Sequence, residues 1–149
     1  FHPRTIVFMG DLFHSKLNNE WISFIGFLAD HPEIRFILTR GNHDILHPDV
    51  MKHAPIEVVQ EFQLGQHLLC THEPLEDHPE EMLNIAGHLH PGFLIKAKGR
   101  QSFRLPCFYQ LQKKLILPAF GQLTGLRMVK KMQGARIFPV LPTEVIEWN

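Results

Sequence analysis

A short polar stretch, Gly-Asn-His-Asp at residues 41–44, follows the apolar run Ile34–Leu38. Such a run is typical of a buried strand in a mostly parallel sheet. Gly41 permits a tight turn, so the three polar residues should emerge at the carboxyl end of that strand, where open α/β sheets bind their ligands. An amide, an imidazole and a carboxylate in succession suit a site that binds a metal ion and transfers a proton. An ordinary loop is the alternative when this stretch is taken alone.

Three further segments repeat the arrangement of an apolar run followed by residues that can bind a metal. These are Asp11 after Thr5–Met9, His72 after His67–Thr71, and Gly87-His88-Leu89-His90 after Asn84–Ala86. Carboxylate, amide and imidazole ligands without thiolate suit Mn²⁺, Fe or Zn²⁺. Because one carboxylate can bridge two ions about 4 Å apart, the pattern indicates two-metal-assisted attack of water on phosphorus. The sequence therefore predicts a metal-dependent phosphoester hydrolase.

Composition bounds the remaining possibilities. A chain of 149 residues, 44% of them hydrophobic, fits a single domain over 1–149. Residues 1–90 contain 5 Lys/Arg, 13 Asp/Glu and all 11 histidines, whereas residues 91–149 contain 10 Lys/Arg and 2 Asp/Glu. A basic half beside a metal site suits a phosphate-bearing polymer such as DNA. The alternative is a solvated sheet face whose edges carry lysines that prevent pairing with other strands.

The absence of a signal peptide and of an apolar run near 20 residues predicts a cytoplasmic protein without a membrane partner. Cys70 and Cys107 are interpreted as reduced core thiols.

The apolar periodicity predicts an α/β fold that begins with one βαβ unit over residues 5–39. Its helix should begin near Asn18-Asn19-Glu20, pack through Trp21, Ile22, Ile25, Phe27 and Leu28, and end at His31-Pro32. Val58–Leu64 and His67–Thr71 should form a hairpin with a two-residue turn. The later runs predict antiparallel strands of a second sheet: Phe93–Ala97, Phe103–Leu111, Lys114–Leu117, Ala135–Val140 and Val145–Trp148. Pro106 within one of them suggests an edge strand or a bulge.

The four segments together resemble the calcineurin-like metallophosphoesterase superfamily, in the same order along the chain. The resemblance implies a two-sheet β-sandwich flanked by helices and two divalent metal ions, with Mn²⁺ favoured over Fe or Zn²⁺. It also implies that Asp11 bridges the two metals, and that His43, oriented by Asp44, acts on the phosphate and the leaving group. By the same resemblance the second metal binds Asn42, His72 and His88, and the first binds His90.

Two further residues near these motifs are weaker candidates. His14 is either a phosphate contact or a helix-start residue. Glu73, directly after His72, is a candidate for contact with a metal ligand rather than with the metal.

A narrower resemblance covers most of the chain. Gly-Asp-Leu-Phe-His-Ser at 10–15, Arg-Leu-Pro-Cys-Phe at 104–108 and Leu-Pro-Ala-Phe-Gly at 117–121 resemble the bacterial ligase-associated DNA-damage-response endonuclease. This family implies a phosphodiesterase that cleaves DNA in repair, with a DNA ligase, a helicase and an exonuclease as partners. Two alternatives stay open: a metallophosphoesterase of a small nucleotide or diphosphate, and a catalytically crippled module that only contacts DNA.

One departure from the superfamily pattern concerns the first metal. The superfamily opens with Asp-x-His at the end of its first strand, and these 149 residues contain no such triplet. We therefore expect an upstream segment of roughly 30 residues that supplies the first strand and its connection. Without it the first metal would keep only Asp11 and His90. The sheet would also have an open edge, at which a second copy of the chain could pair in a homo-oligomer.

Overall fold

Two sheets and one helix make up the regular structure of the described residues. The computed structural model describes residues 2–12, 19–44, 52–96, 99, 101–121 and 124–148. In chain order the elements are β1 (Thr5–Phe8), α1 (Asn19–Ala29), β2 (Arg35–Thr39), β3 (Glu57–Val59), β4 (Glu61–Leu64), β5 (Leu68–Thr71), β6 (Leu83–Ala86), β7 (Pro91–Lys96), β8 (Ser102–Leu111), β9 (Lys114–Ile116), β10 (Arg127–Met128) and β11 (Ala135–Pro139). Within this part of the chain, no helix is both long and apolar enough to cross a membrane.

The first sheet has the order β1-β2-β3, and all its pairs are parallel. β1 and β2 are adjacent and α1 connects them, which confirms the predicted βαβ unit. α1 contacts the sheet through Trp21, Phe24, Ile25 and Leu28, the spacing that places side chains on one face of a helix. The predicted packing was wrong for Ile22, which is 69% exposed, whereas Phe27, although 45% exposed, contacts the ring of Phe36 in β2 at a centroid distance of 5.9 Å.

A hydrophobic core fills the space between α1 and the first sheet. Leu28, Phe36, Leu38 and Ile56 form its buried centre, and Phe8 lies partly buried against it. The opposite face of β2 is buried as well, because Ile37 between Phe36 and Leu38 is 0% exposed. A strand that is buried on both faces is held firmly in position, so the residues that follow it are precisely placed.

The second sheet has eight strands in the path β10-β7-β8-β9-β6-β5-β4, with β11 paired to β8. It begins earlier than predicted, because the chain passes from β3 in the first sheet to β4 in the second at Gln60. The predicted hairpin is therefore β4–β5 alone, and its turn has three residues, 65–67, since Leu64 pairs with Leu68. The sheet is mixed, with parallel pairs between β5 and β6 and between β6 and β9. Val145 and Trp148 make isolated bridges rather than the predicted strand.

β8 has partner strands on both sides only over its second half, where β9 pairs with residues 109–111 on the side away from β11. It pairs with β7 over residues 102–106 and with β11 over residues 107–111. Pro106 lies where the partner changes, opposite Gly92, and its carbonyl accepts the Val140 N–H at 2.8 Å. A proline, which has no N–H, is tolerated at a point where one ladder ends and the next begins.

The strand ends that matter for function come from both sheets. Residues 9–11 and 40–44 follow β1 and β2, while His72 and residues 87–90 follow β5 and β6. Both pairs of strands are parallel, so in each sheet the two carboxyl ends lie side by side. Four of the candidate ligands, Asp11, Asn42, His72 and His88, therefore meet at one place between the sheets.

A candidate metal centre at the strand ends

His72 is the centre of the site. Its side chain is 5% exposed, and its Nδ1 lies 2.8 Å from the backbone oxygen of Met9, to which the ring N–H donates. In proteins, histidines that bind a metal usually donate their other ring N–H in this way, which fixes both the tautomer and the ring orientation. The lone pair of Nε2 is thereby directed away from the carbonyl and into the site.

Three further ligand-type atoms surround this nitrogen. Nε2 of His72 lies 3.0 Å from Oδ1 of Asn42, 3.0 Å from Nδ1 of His88 and 3.5 Å from Oδ1 of Asp11. In the neutral tautomer, Nε2 and the two oxygens are all electron donors, and such a convergence is favourable around a cation. Among the described residues, the ligand atoms of Asp11, His72 and His88 lie within 4.8 Å of one another. The residues present therefore fit a divalent metal ion with nitrogen and oxygen ligands.

Glycine at position 10 makes this close approach possible. A Cβ atom there would lie 2.1 Å from Nδ1 of His72 and 2.9 Å from the backbone oxygen of Thr39. The φ angle of Gly10 is also +83°, a conformation that side-chain-bearing residues rarely adopt. Only glycine lets the end of β1 pass this close to the imidazole.

The loops of the site have an unusual backbone. Asp11, His88 and His90 have φ angles of 53°, 58° and 45°, in the left-handed region that non-glycine residues seldom occupy. Each such residue costs about 1–3 kcal/mol and persists only where its surroundings fix it. Three of the predicted metal ligands lie in this conformation, so the fold holds their side chains in positions that a relaxed loop would not give.

The carboxylate of Asp44 supplies part of that fixation. It accepts three backbone N–H groups: Asp11 at 3.0 Å, Leu12 at 2.8 Å and Gly41 at 2.7 Å. It thus ties the loop after β1 to the loop after β2. The predicted orientation of His43 by Asp44 stays a prediction. His43 is exposed, and its backbone N–H donates to Oδ1 of Asp11 at 3.0 Å.

Asn84 is a residue of the site that the sequence analysis did not recognise as one. It is 0% exposed in β6, and its amide donates to the Leu69 carbonyl at 3.1 Å and to Oγ1 of Thr71 at 2.9 Å. Its carbonyl accepts the Leu75 N–H at 2.9 Å. The Thr71 hydroxyl donates in turn to the backbone oxygen of Glu73 at 2.6 Å. These bonds hold the chain on both sides of His72, and the signal in the sequence was an asparagine within an apolar strand.

The other predicted site residues, Glu73, His90 and His14, are not among the described residues whose ligand atoms lie around Nε2 of His72. Oε1 of Glu73 lies 3.9 Å from Nε2 of His88, on the side of that ring away from the other ligands. His90 is outside the group of three residues whose ligand atoms cluster, and its carbonyl accepts the Arg127 N–H at 3.0 Å. His14 lies outside the described residues.

Both cysteines are buried and free. Burial raises the pKa of Cys70, and it raises the pKa of Cys107 to about 11. Both thiols therefore stay protonated near neutral pH, where a protonated thiol is a weak nucleophile and a poor metal ligand.

The family model described as calcineurin-like phosphoesterase matches residues 2–114. The crystal structure of Pseudomonas putida nuclease MPE is similar, with a TM-score of 0.74 and 29% sequence identity over 91% of this chain and 66% of that chain. This chain thus spans just under two thirds of the length of that nuclease. No curated protein matches the chain.

Proposed function

The chain belongs to the calcineurin-like phosphoesterase family, and from this premise we propose that it is a metal-dependent phosphodiesterase that cleaves DNA. The family match, the parallel first sheet and the mixed second sheet confirm the superfamily and the fold class that the four motifs predicted. The similar crystal structure is that of a nuclease, which supports a nucleic acid as the substrate. The basic composition of residues 91–149 favours the same polymer.

The observation that supports this proposal most is that ligand atoms of Asp11, Asn42 and His88 lie within 3.5 Å of Nε2 of His72. Asp11, Asn42, His72 and His88 would hold one divalent ion, for which we propose Mn²⁺. His90, together with Asp11, would contribute to a second site. When bound, such ions polarise phosphoryl oxygens and lower the pKa of water. No thiolate competes for the site, because both cysteines are buried and protonated.

The protein's own groups have separate roles in this proposal. Asp44 keeps the loops of Asp11 and Gly41 together, so the carboxylate of Asp11 does not have to reorganise when it binds a cation. His72 is held by the Met9 carbonyl on the buried side of the site, so its Nε2 is already oriented toward a cation. His43 is exposed beside Asp11, where its imidazole would donate a proton to the leaving oxygen of a bound phosphodiester.

The test measures metal stoichiometry and hydrolysis on the same samples. The chain is loaded with Mn²⁺, gel-filtered and subjected to elemental analysis, and cleavage of plasmid DNA and of bis(p-nitrophenyl) phosphate is then assayed. His88→Ala should lose metal and both activities. The matched control is His67→Ala, because His67 is exposed in the turn between β4 and β5. This variant should behave as the wild type.

Each outcome has a defined meaning. One or two ions per chain with cleavage of both substrates supports the proposal, and the number of ions separates the one-metal from the two-metal form. Cleavage of the small ester without cleavage of DNA would favour a small nucleotide or diphosphate substrate. A chain that takes up no metal, or a His88→Ala variant that keeps full stoichiometry, would refute the assignment of the site.

A role in DNA repair in the cytoplasm, beside a DNA ligase, a helicase and an exonuclease, is the finer part of the proposal. It is based on the resemblance of residues 10–15, 104–108 and 117–121 to the ligase-associated endonuclease family. Co-purification of this chain with those three enzymes would support it, and a chain that binds none of them would contradict it.

A further inference from the structure

A groove lies on the eight-stranded sheet, apart from the metal ligands. It has a volume of about 470 Å³. Its floor is formed by side chains of two neighbouring strands, Tyr109 and Leu111 of β8 and Ile116 of β9. The short strand β10 and the residues after it form one wall, with Arg127, Met128, Val129, Lys130 and Met132.

The groove adjoins the loops that carry the candidate metal ligands. Leu89 lines the groove, and its two neighbours in the chain are the predicted ligands His88 and His90. Pro74, two residues after His72, lines it as well. β10 is attached to this loop directly, because the N–H of Arg127 donates to the carbonyl of His90 at 3.0 Å. A polymer that occupies the groove would therefore meet the loops that present the metal ligands.

The charges around the groove favour an anion. Lys114, Arg127 and Lys130 are among the described lining residues, against the single carboxylate of Glu76. Arg127 and Lys130 are exposed, so both can reach a bound phosphate. Lys114 is partly engaged, since its Nζ donates to the backbone oxygen of Glu76 at 3.1 Å.

The floor is suited to bases rather than to phosphates. It is apolar and includes the ring of Tyr109, and an aromatic ring that lines a cationic groove is a stacking surface for any base. Burial, and then the nearby Cys107, raise the pKa of Tyr109, so its phenol stays neutral and does not repel a phosphate.

We propose that this groove binds a segment of single-stranded DNA that continues from the metal centre, with bases on the floor of Tyr109, Leu111 and Ile116 and phosphates along Arg127 and Lys130. The proposal rests on the proposed function, since it extends the path of the same substrate. Small-molecule sites have volumes of about 300–1,000 Å³, so a groove of 470 Å³ accommodates one or two unpaired bases.

The test measures binding without catalysis. Fluorescence anisotropy of a fluorescein-labelled 20-nucleotide oligo-dT is measured with the full chain in EDTA, over a range of salt concentrations. Arg127→Ala/Lys130→Ala should weaken binding by about tenfold or more and should reduce the slope of log K against log salt by about 1.4, since each phosphate contact on a single strand contributes about 0.7. The control is Arg4→Ala/Arg35→Ala, which also removes two exposed cations, at the amino ends of β1 and β2, together with the ion pair of Arg35 with Glu57. This control should change neither quantity.

A second pair of variants tests the stacking surface. Tyr109→Phe keeps the ring and should bind as the wild type does. Tyr109→Leu keeps an apolar side chain but loses the ring, and its affinity should fall by about 5- to 100-fold. The two charge variants alter exposed residues only, so they decide the question even where Tyr109→Leu does not fold.

The outcomes separate this inference from the proposed function. Wild-type binding at low salt that is lost in the groove variants supports the groove, whether or not the metal-loaded chain hydrolyses bis(p-nitrophenyl) phosphate. A chain that hydrolyses the small ester but does not bind the oligonucleotide overturns the groove and leaves the phosphoesterase intact. Equal loss of affinity in the Arg4/Arg35 control, or none in the Arg127/Lys130 variant, also overturns it.

Discussion

Replacement of Asp44 by asparagine tests whether this carboxylate holds the site together. The substitution keeps the shape of the side chain but leaves one acceptor oxygen where there were two. In its better orientation the amide oxygen would keep the bonds from Asp11 and Gly41, which both reach Oδ2. The new NH₂ group would then face the Leu12 N–H, which now donates to Oδ1 at 2.8 Å. Asp44→Asn therefore removes one hydrogen bond, opposes two donors and weakens the two bonds that remain.

The expected cost follows from these three bonds. A hydrogen bond to a charged group contributes about 1.5–3 kcal/mol, against about 0.5–1.5 kcal/mol for a neutral one. Asp44→Asn loses the bond from Leu12 and weakens the other two bonds by removing the charge. Because Asp44 is only half-buried, solvent screening reduces the summed effect, and we expect the free energy of unfolding to fall by about 2–4 kcal/mol. Asp11, at a φ of 53°, would also be free to relax, so Mn²⁺ affinity should fall by about 10- to 100-fold.

Two measurements and one control decide this prediction. Urea unfolding in EDTA gives the stability of the metal-free chain, and titration with Mn²⁺ gives its affinity. Asp77→Asn is the control, because Asp77 is exposed in the loop after β5 and the same chemical change there should alter neither value. An Asp44→Asn variant with wild-type stability and wild-type Mn²⁺ affinity would refute the bracing role. If only the rate of hydrolysis fell, Asp44 would act through His43, as the sequence analysis predicted.

Three further predictions concern single positions. His43→Ala should keep its metal and lose about 100-fold in hydrolysis, as for loss of an acid or a charge stabiliser, and unchanged turnover would remove His43 from the mechanism. Gly10→Ala should destabilise the chain by more than about 3 kcal/mol because its Cβ meets an imidazole, whereas Gly65→Ala, also at positive φ (+64°) but in open space, should cost about 1 kcal/mol in urea unfolding. Burial raises the pKa of Cys107 to about 11, so the contribution of this thiol to stability is complete below its ordinary pKa near 9 and is lost as the pH rises through 11. A Cys107→Ala variant should therefore lose less stability than the wild type between pH 9 and pH 11. The same dependence of stability on pH in both proteins would contradict the burial argument.

The candidate ligands could be found from the sequence because each follows a strong local pattern. An apolar run, then a small residue, then a polar side chain marks the carboxyl end of a strand, and such ends meet along one edge of a parallel sheet. That pattern was enough to predict that Asp11 and Asn42 lie side by side and that His72 and His88 do, whereas joining the two pairs with His90 in one metal site depended on the resemblance to the superfamily. The structure brings these four side chains together around one nitrogen. Their role in binding a metal stays a prediction until metal content is measured.

Other features depend on contacts that no local pattern encodes. The passage of the chain between sheets at Gln60 is set by which strands pair, and the run Val58–Leu64 is equally compatible with one long strand. The hydrogen bonds of Asn84 could not be predicted from a local pattern either. An asparagine beside Leu83 and Ile85 is unusual in a strand, but its partners are 9, 13 and 15 residues away in the chain. The sequence marked it as an exception without showing what satisfies it.

The glycines before the candidate ligands can be recognised in the sequence, but only the structure shows why glycine is needed at these positions. Gly10, Gly41 and Gly87 each precede a predicted ligand. In the structure, a Cβ at Gly41 would lie 2.4 Å from Oδ1 of Asp11, and one at Gly87 would lie 3.0 Å from the Met9 carbonyl. At Gly10 and Gly41 the missing side chain therefore leaves room for a predicted ligand from another strand end, His72 and Asp11 respectively, and at Gly87 it leaves room for the backbone of Met9. Ligand atoms from different strand ends must come within about 3–4 Å of one another, and a Cβ atom at Gly10 or Gly41 would occupy that space. The repeated pairing of glycine with a polar residue in this sequence is thus a consequence of the site's geometry, in addition to the turns that the glycines allow.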